Sequence, residues 1–209
     1  MKNNQTHIAI FAKEPVPGWA KTRLIPTLGA EAAAALHAKL VEHAVVVALH
    51  ADLGPVALWV AGVTGAPFFQ YLENRYNLKL RSQCSGDLGQ RMAAVFAQAQ
   101  APLLLMGSDC PIISPQLLQH CARALGSHDA VLLPAEDGGY GLIGLQEQQP
   151  QLFEAIAWGS DSVLASTRQI LQSLKLTWSE PDTIWDLDRP ADFKRLEQDV
   201  ELYQQVMGY

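Results

Sequence analysis

Cysteine is scarce and unpatterned: Cys84, Cys110 and Cys121 are the only three in 209 residues. They offer neither an even set for a disulfide framework nor the paired spacing of a zinc site. Reduced thiols in a cytoplasm are the expectation. Charge is also sparse, at 17% of residues, and sums to −6. An acidic chain of this kind does not attract nucleic acid or an anionic membrane surface. No run approaches the roughly 18 apolar residues of a membrane-spanning helix. The apolar stretch in "MKNNQTHIAIF" is too short for a signal peptide, so no membrane insertion is expected. No serine sits in a nucleophile-elbow pattern, which removes support for triad hydrolysis.

What the chain does have is a core and a rhythm. Hydrophobic residues make up 49%, ordinary for a globular protein. Strand-like runs ("HIAIFAK", "PVALWVAG", "LKLRSQ", "PLLLMGSD", "DAVLLPAE", "GYGLIGL") alternate with helical patterns. The helices are a long alanine-rich one over Ala30–His50, then "APFFQYLENRY", "DLGQRMAAVFAQAQ" capped by Asp87, and "SPQLLQHCARALG" capped by Ser114 with Pro115 first and Gly126 at its end. Beyond Leu145 follow a helix around "SDSVLASTRQILQSL", a strand-like "KLTWSE" and one last helix over "RPADFKRLEQDVELYQQV". The alternation predicts an α/β fold with a mostly parallel sheet. Near-continuous apolar strands agree, because such strands are buried on both faces. No linker or repeat divides the chain, which predicts a single domain over 1–209.

Open α/β sheets bind ligands beyond the carboxyl ends of their strands. The unusual residues fall there. "KEPVPGWAKTR" follows the first strand, "GSDCP" the fourth and "EDGGY" the fifth. The first loop is not a P-loop, since Ala20 stands where a glycine must precede Lys21. A constrained basic loop still suits phosphate, and an ordinary solvated loop is the alternative. Asp109 is a strand-end carboxylate, either an exposed cap or an oxygen ligand for magnesium or manganese. Cys110 is too soft for such a cation and reads as a small buried residue. Asp137 with Gly138 and Gly139 reads first as a hairpin turn. Asp186 and Asp188 alternate along an extended stretch and point to one side. They either flank a cation, or Asp188 caps the helix that begins at Pro190. His37, His43 and His50 on the long helix are expected on a solvated face. Trp158, Trp178 and Trp185 are expected to be packing groups.

Six stretches taken together resemble a known family. "FAKEPVPGWAKTRL", "GDLGQRM", "GSDCP", "EDGGYGLIGL", "WGSDSVLAST" and "WDLDRPADFKRL" look like the DUF2064 group of bacterial proteins. These are relatives of GT-A-type nucleotide-diphospho-sugar transferases, and many carry glycosyltransferase names, some assigned to arsenosugar biosynthesis. The resemblance covers nearly the whole chain. It implies a three-layer α/β/α sandwich with a mostly parallel, Rossmann-like sheet. The nucleotide-binding part would span about 1–112 and the acceptor-side part about 113–209. Ala12, Lys13, Gly18, Lys21, Arg23, Gly86 and Arg91 would line the nucleotide, with Lys21 and Arg23 near its phosphates. Asp109 would match the metal-binding acid, with Mg2+ or Mn2+ as cofactor. Gly138, Gly139 and Tyr140 would face the acceptor, and Asp137 is the candidate catalytic base beside Asp109.

Two departures stand out. The Asp-any-Asp motif of many glycosyltransferases is broken by Cys110 and Pro111, so a second metal carboxylate has to come from Asp186 or Asp188. Relatives usually place serine after the tryptophan matching Trp158, where this chain has Gly159. Three functions follow from the resemblance. The first is metal-dependent sugar transfer from a nucleoside diphosphate sugar to a small molecule. The second is nucleotidyl transfer from a triphosphate to a phosphorylated small molecule, which a lysine- and arginine-rich loop suits. The third is a non-catalytic nucleotide-binding homologue.

Overall fold

The computed structural model describes residues 5–99 and 102–208. Seven strands form one sheet. They are β1 (His7–Lys13), β2 (Val56–Ala61), β3 (Lys79–Ser82), β4 (Leu103–Gly107), β5 (Ala130–Pro134), β6 (Tyr140–Leu145) and β7 (Trp178–Ser179). Their order is β3-β2-β1-β4-β6-β5-β7. All run parallel except β6, which lies antiparallel between β4 and β5. The expected mostly parallel α/β sheet is therefore what forms.

Strand alternation splits the core into two layers. Ile8, Ile10, Leu58 and Leu104 pack on one face against α2 (Ala30–His50), α3 (Pro67–Tyr76) and α5 (Pro115–Leu125). Ala9, Trp59, Leu103 and Leu105 pack on the other against α4 (Leu88–Ala97) and α6 (Val163–Ser173). A third cluster sits at one end. There Leu24, Leu36, Leu40, Trp185 and Leu187 meet Leu196 of α7 (Pro190–Gln198) and Val206 of α8 (Val200–Met207). The short helix α1 (Ile25–Leu28) leads from the opening loop into α2.

Local chemistry sets the helix starts. Asp87 accepts from the Gln90 amide while Gln90 reciprocates, a complete capping box at α4. Ser114 accepts from Leu117 N at α5. The single last helix expected from the sequence is instead two, because Asp199 leaves helical geometry and its carboxylate caps α8 through Leu202 N. Helix α2 is another correction. Its length and composition suffice to cross a membrane, which the sequence reading did not expect, but 72% of its apolar window is buried in the fold. It is a core helix, and burial on nearly every side accounts for its apolar character. Its buried Glu42 is satisfied by the Tyr71 and Tyr76 hydroxyls.

Candidate functional site

The C-terminal rim of the sheet gathers residues from both halves of the chain. The stretch before α7 is the reason. Ile184 pairs with Ala135 beyond β5, and Leu187 N donates to Asp109 O at 2.8 Å. These backbone bonds carry Asp186 and Asp188 to the end of β4, beside Asp109. The Gly138–Gly139 turn closes the β5–β6 hairpin, as its sequence suggests, with Asp137 accepting from Gly139 N at 2.9 Å. Gly138 has φ of +88°, and a Cβ there would lie 2.2 Å from Asp161 O. Only glycine lets this hairpin meet the segment before α6, where Leu164 N donates to Gly138 O.

Asp109 is held by one oxygen. Its Oδ1 is buried, 2.6 Å from Lys21 Nζ and 3.7 Å from His37 Nδ1. The side chain is nevertheless 46% exposed, so Oδ2 is the oxygen turned outward. Burial by itself would raise the carboxyl pKa. The Lys21 ammonium and then the His37 ring outweigh it and hold Asp109 well below the usual carboxylate range. Lys21 is fixed in turn. Its backbone is left-handed, its side chain is buried, and Nζ donates to Leu187 O at 2.6 Å. His37 Nε2 contacts Lys13 O at 3.1 Å. A carbonyl only accepts, so Nε2 carries the proton there.

The remaining carboxylates are crowded. Asp188 pairs with Arg23. The Asp186 pKa is raised, first by burial and then by the Asp137 and Asp188 carboxylates. The Cys110 thiol is pushed up by burial and then by Asp109, so without a metal it stays protonated. Among the described residues no three His, Cys, Asp or Glu side chains close around a metal position. The donors that are present are all oxygens, one turned outward and one in an unrelieved cluster. That suits a hard cation held by one or two carboxylates plus substrate phosphate.

The expected nucleotide residues divide into two groups. Lys21 and Arg23 spend their charge on Asp109 and Asp188. Lys13 is exposed at the end of β1, and its ammonium has no partner among the described residues. Arg91 Nε donates to Gly86 O, and its terminal nitrogens have no partner among the described residues. Gly86 and Gly18 both have positive φ, and a Cβ on Gly86 would strike Gln90 Oε1. Ala12 is buried at the end of β1. Tyr140 opens β6 and meets Trp158 edge-on at 6.5 Å, supporting a packing role for that tryptophan.

Two expectations fail. His37 and His43 are 1% and 3% exposed, not on a solvated face, because α5, α8 and the Asp109 turn cover that side of α2. The helix that begins at Pro190 is not capped by Asp188. The Asp192 carboxylate accepts from both Asp188 N and Arg189 N instead. Gly159 has φ of +84° with open space around it, so its backbone, not a neighbour, asks for glycine. A pocket of about 640 Å3 lies at the opposite rim near Asp52, Pro102 and Arg123 and contains none of these groups.

Known proteins share this fold. No match was found among curated proteins. A Desulfovibrio desulfuricans G20 structure described as a "putative nucleotide-diphospho-sugar transferase" is 25% identical, covers 96% of this chain and 97% of that one, and superposes with a TM-score of 0.80. A nucleotidyl transferase from Methanothermobacter thermautotroptrophicus shares the fold at 13% identity, with a TM-score of 0.67 over 94% and 98% of the two chains. So does glucosyl-3-phosphoglycerate synthase of Mycobacterium tuberculosis, solved with Mn2+, UDP and glucosyl-3-phosphoglycerate. It is 9% identical, with a TM-score of 0.56 over 99% of this chain and 81% of that one. The family model for DUF2064, described as an uncharacterized protein conserved in bacteria, matches residues 44–160, more than half of the sequence. The chain belongs to the DUF2064 family.

Proposed function

We propose that this protein is a cytoplasmic transferase that moves a sugar from a nucleoside diphosphate sugar to a small-molecule acceptor with the help of Mg2+ or Mn2+. One observation carries the reading. Asp109, at the end of β4, is kept ionised by Lys21 while its side chain stays 46% exposed, and the stretch that carries Asp186 is bonded to its backbone through Leu187 N. The reading is supported by fold relatives reported above, one described as a nucleotide-diphospho-sugar transferase and one solved with Mn2+ and UDP.

Asp109 and Asp186 are the residues that would hold the cation, with Asp188 behind them. The cation would supply positive charge to the leaving diphosphate. Lys13 and Arg91 hold the phosphates, since their charge is uncommitted within the protein. Lys21 orients Asp109, and Arg23 orients Asp188. Asp137 sits at the hairpin turn and takes the proton from the acceptor hydroxyl. Gly138, Gly139 and Tyr140 shape the acceptor side. The nucleotide part occupies about 1–112 and the acceptor part about 113–209 of one domain.

Nucleotidyl transfer is the competing chemistry on this fold. Its argument was a loop with spare positive charge for a triphosphate. With Lys21 and Arg23 paired to carboxylates, that argument loses weight. A thermal-shift panel separates the readings. Nucleoside diphosphate sugars and nucleoside triphosphates are each tested with and without Mg2+ or Mn2+. Ligand at about a hundred times its Kd adds roughly 2.7 kcal/mol, several degrees in Tm. Metal-dependent stabilisation by a diphosphate sugar is expected. A preference for triphosphate supports nucleotidyl transfer, and no shift by either class supports a non-catalytic homologue.

A further inference from the structure

Gly107 closes the central strand β4 with no local reason to be glycine. Its φ is not in the positive range. A Cβ built on it would meet no described atom within 4 Å. Neither backbone nor packing excludes a larger residue, and glycine weakens a strand. Close approach by a ligand is the use that remains.

The open space lies on the α4 side of the sheet. Leu103 and Leu105 face that side, so alternation turns Gly107 there too. Phe11 is its partner in the β1 ladder and packs on the same side. Two residues earlier on these strands, Leu105 and Ala9 are 3% and 1% exposed, whereas Gly107 and Phe11 are only half-buried. The helical cover therefore stops between these two levels. On the other flank, Met106 pairs with Leu142 of β6. Alternation breaks at Gly141, whose Cβ would point at Cys110 Sγ and Ile184 on the α2 side. That break returns Tyr140 to the α4 side, half-buried and braced edge-on by Trp158 at 6.5 Å. The result is a depression with a backbone floor at Gly107 and aromatic flanks from Phe11 and Tyr140.

We propose that this depression seats the sugar ring of the donor, and that Gly107 is the residue that makes room for it. Aromatic walls with few polar groups suit the C–H face of such a ring. Asp109 follows Gly107 by two residues and Lys13 follows Phe11 by two, which puts the phosphate end about 7 Å farther along the strands. Asp137 stands three residues before Tyr140, on the hairpin of the same flank. A group between the cation and Asp137 is the one transferred, while ribose and base extend toward β2 and β3. This assignment rests on the sugar-transfer reading above and adds the seat of the sugar to it.

Calorimetric titration with Mn2+ tests it, using the matched pairs UDP and UDP-glucose, GDP and GDP-mannose, and ADP and ADP-glucose. The proteins are the parent, Gly107→Ala and Gly107→Val, each with its melting point recorded. Both variants are expected to melt no lower than the parent, since they have room and suit a strand better than glycine. Gly107→Val should lose at least about tenfold on the diphosphate sugar that the parent binds, roughly 1.4 kcal/mol, and Gly107→Ala a smaller factor. Binding of the matched bare diphosphate should be unchanged. Equal losses on both members of a pair put nucleotide rather than sugar over Gly107, and no loss on either leaves the space unfilled. Either result, a variant that melts well below the parent, or a parent that binds only bare diphosphates overturns the sugar seat alone. A parent that binds none of the six probes overturns this assignment and the transferase reading together.

Discussion

Lys21 and Asp109 are joined across the rim of the sheet, with Nζ 2.6 Å from Oδ1. The same ammonium holds Leu187 O. One side chain of the opening loop thus ties β4 to the stretch that brings in Asp186 and Asp188. In that loop Lys21 and Arg23 are paired with acids, and Lys13 is exposed with no partner among the described residues.

Lys21→Met is expected to unfasten this junction. Removing one partner of an inward-facing pair leaves an uncompensated carboxylate oxygen. Because Asp109 is 46% exposed, solvent screens part of the loss, and the cost is about 2 kcal/mol. Denaturant unfolding measures it. Nucleotide binding should fall as well, because Asp109 loses its orientation. A variant as stable as the parent would show that the pair contributes nothing to the fold.

Asp109 and Asp186 predict opposite pH effects. The folded pKa of Asp109 is depressed. Its pair therefore stabilises above the unfolded value of about 3.9 and is lost as pH falls through the lower folded value. Asp186 is raised by burial and by Asp137. Stability is lost as pH rises from the unfolded value of about 3.9, and the full cost is present above the raised folded value. Asp186→Asn should melt higher than the parent at pH about 7.5, with the difference closing toward pH about 4. A lower Tm at neutral pH would mean that Asp186 has a cationic partner.

Gly159→Ser places after Trp158 the serine that the family resemblance implies. Nothing lies within 4 Å of a Cβ there, but φ is +84°. The change should cost about 1–2 kcal/mol of backbone strain without a clash. A chemical denaturation series decides, and a neutral result would mean that the turn relaxes freely.

Gly89→Ala meets a different obstacle. Its Cβ would fall 2.4 Å from Trp158 Nε1 and 2.5 Å from Phe153 O. Overpacking of this kind costs about 1–3 kcal/mol. It should also loosen the segment before α6, which limited proteolysis between residues 153 and 162 would register.

The sheet and its helix starts were legible because their signals are local. Asp87 with Gln90, and Ser114 with Pro115, name their own caps. The break at Asp199 was not, because the flanking apolar pattern continues across it without glycine or proline. His37 and His43 were misplaced because the partners that bury them come from distant segments. A signal was present: Val45, Val46 and Val47 are consecutive, and a helix apolar all round is a buried one. The same consecutive valines explain why α2 passes a membrane-helix criterion. Asp109 and Asp137 could be picked out because they follow strands, and Asp186 and Asp188 because they alternate along an extended stretch. That Lys21 would turn inward to hold one of them could not, since nothing near Lys21 in sequence encodes Leu187 O.

The central claim is that Asp109 links a divalent cation to a nucleoside diphosphate. Isothermal titration of a nucleoside diphosphate sugar into the parent and into Asp109→Asn, each with and without Mn2+, tests it most directly. The account predicts tight binding only for the parent with Mn2+, and at least about a tenfold loss in Asp109→Asn, which is 1.4 kcal/mol or more. Equal binding by the two proteins in Mn2+ would contradict it.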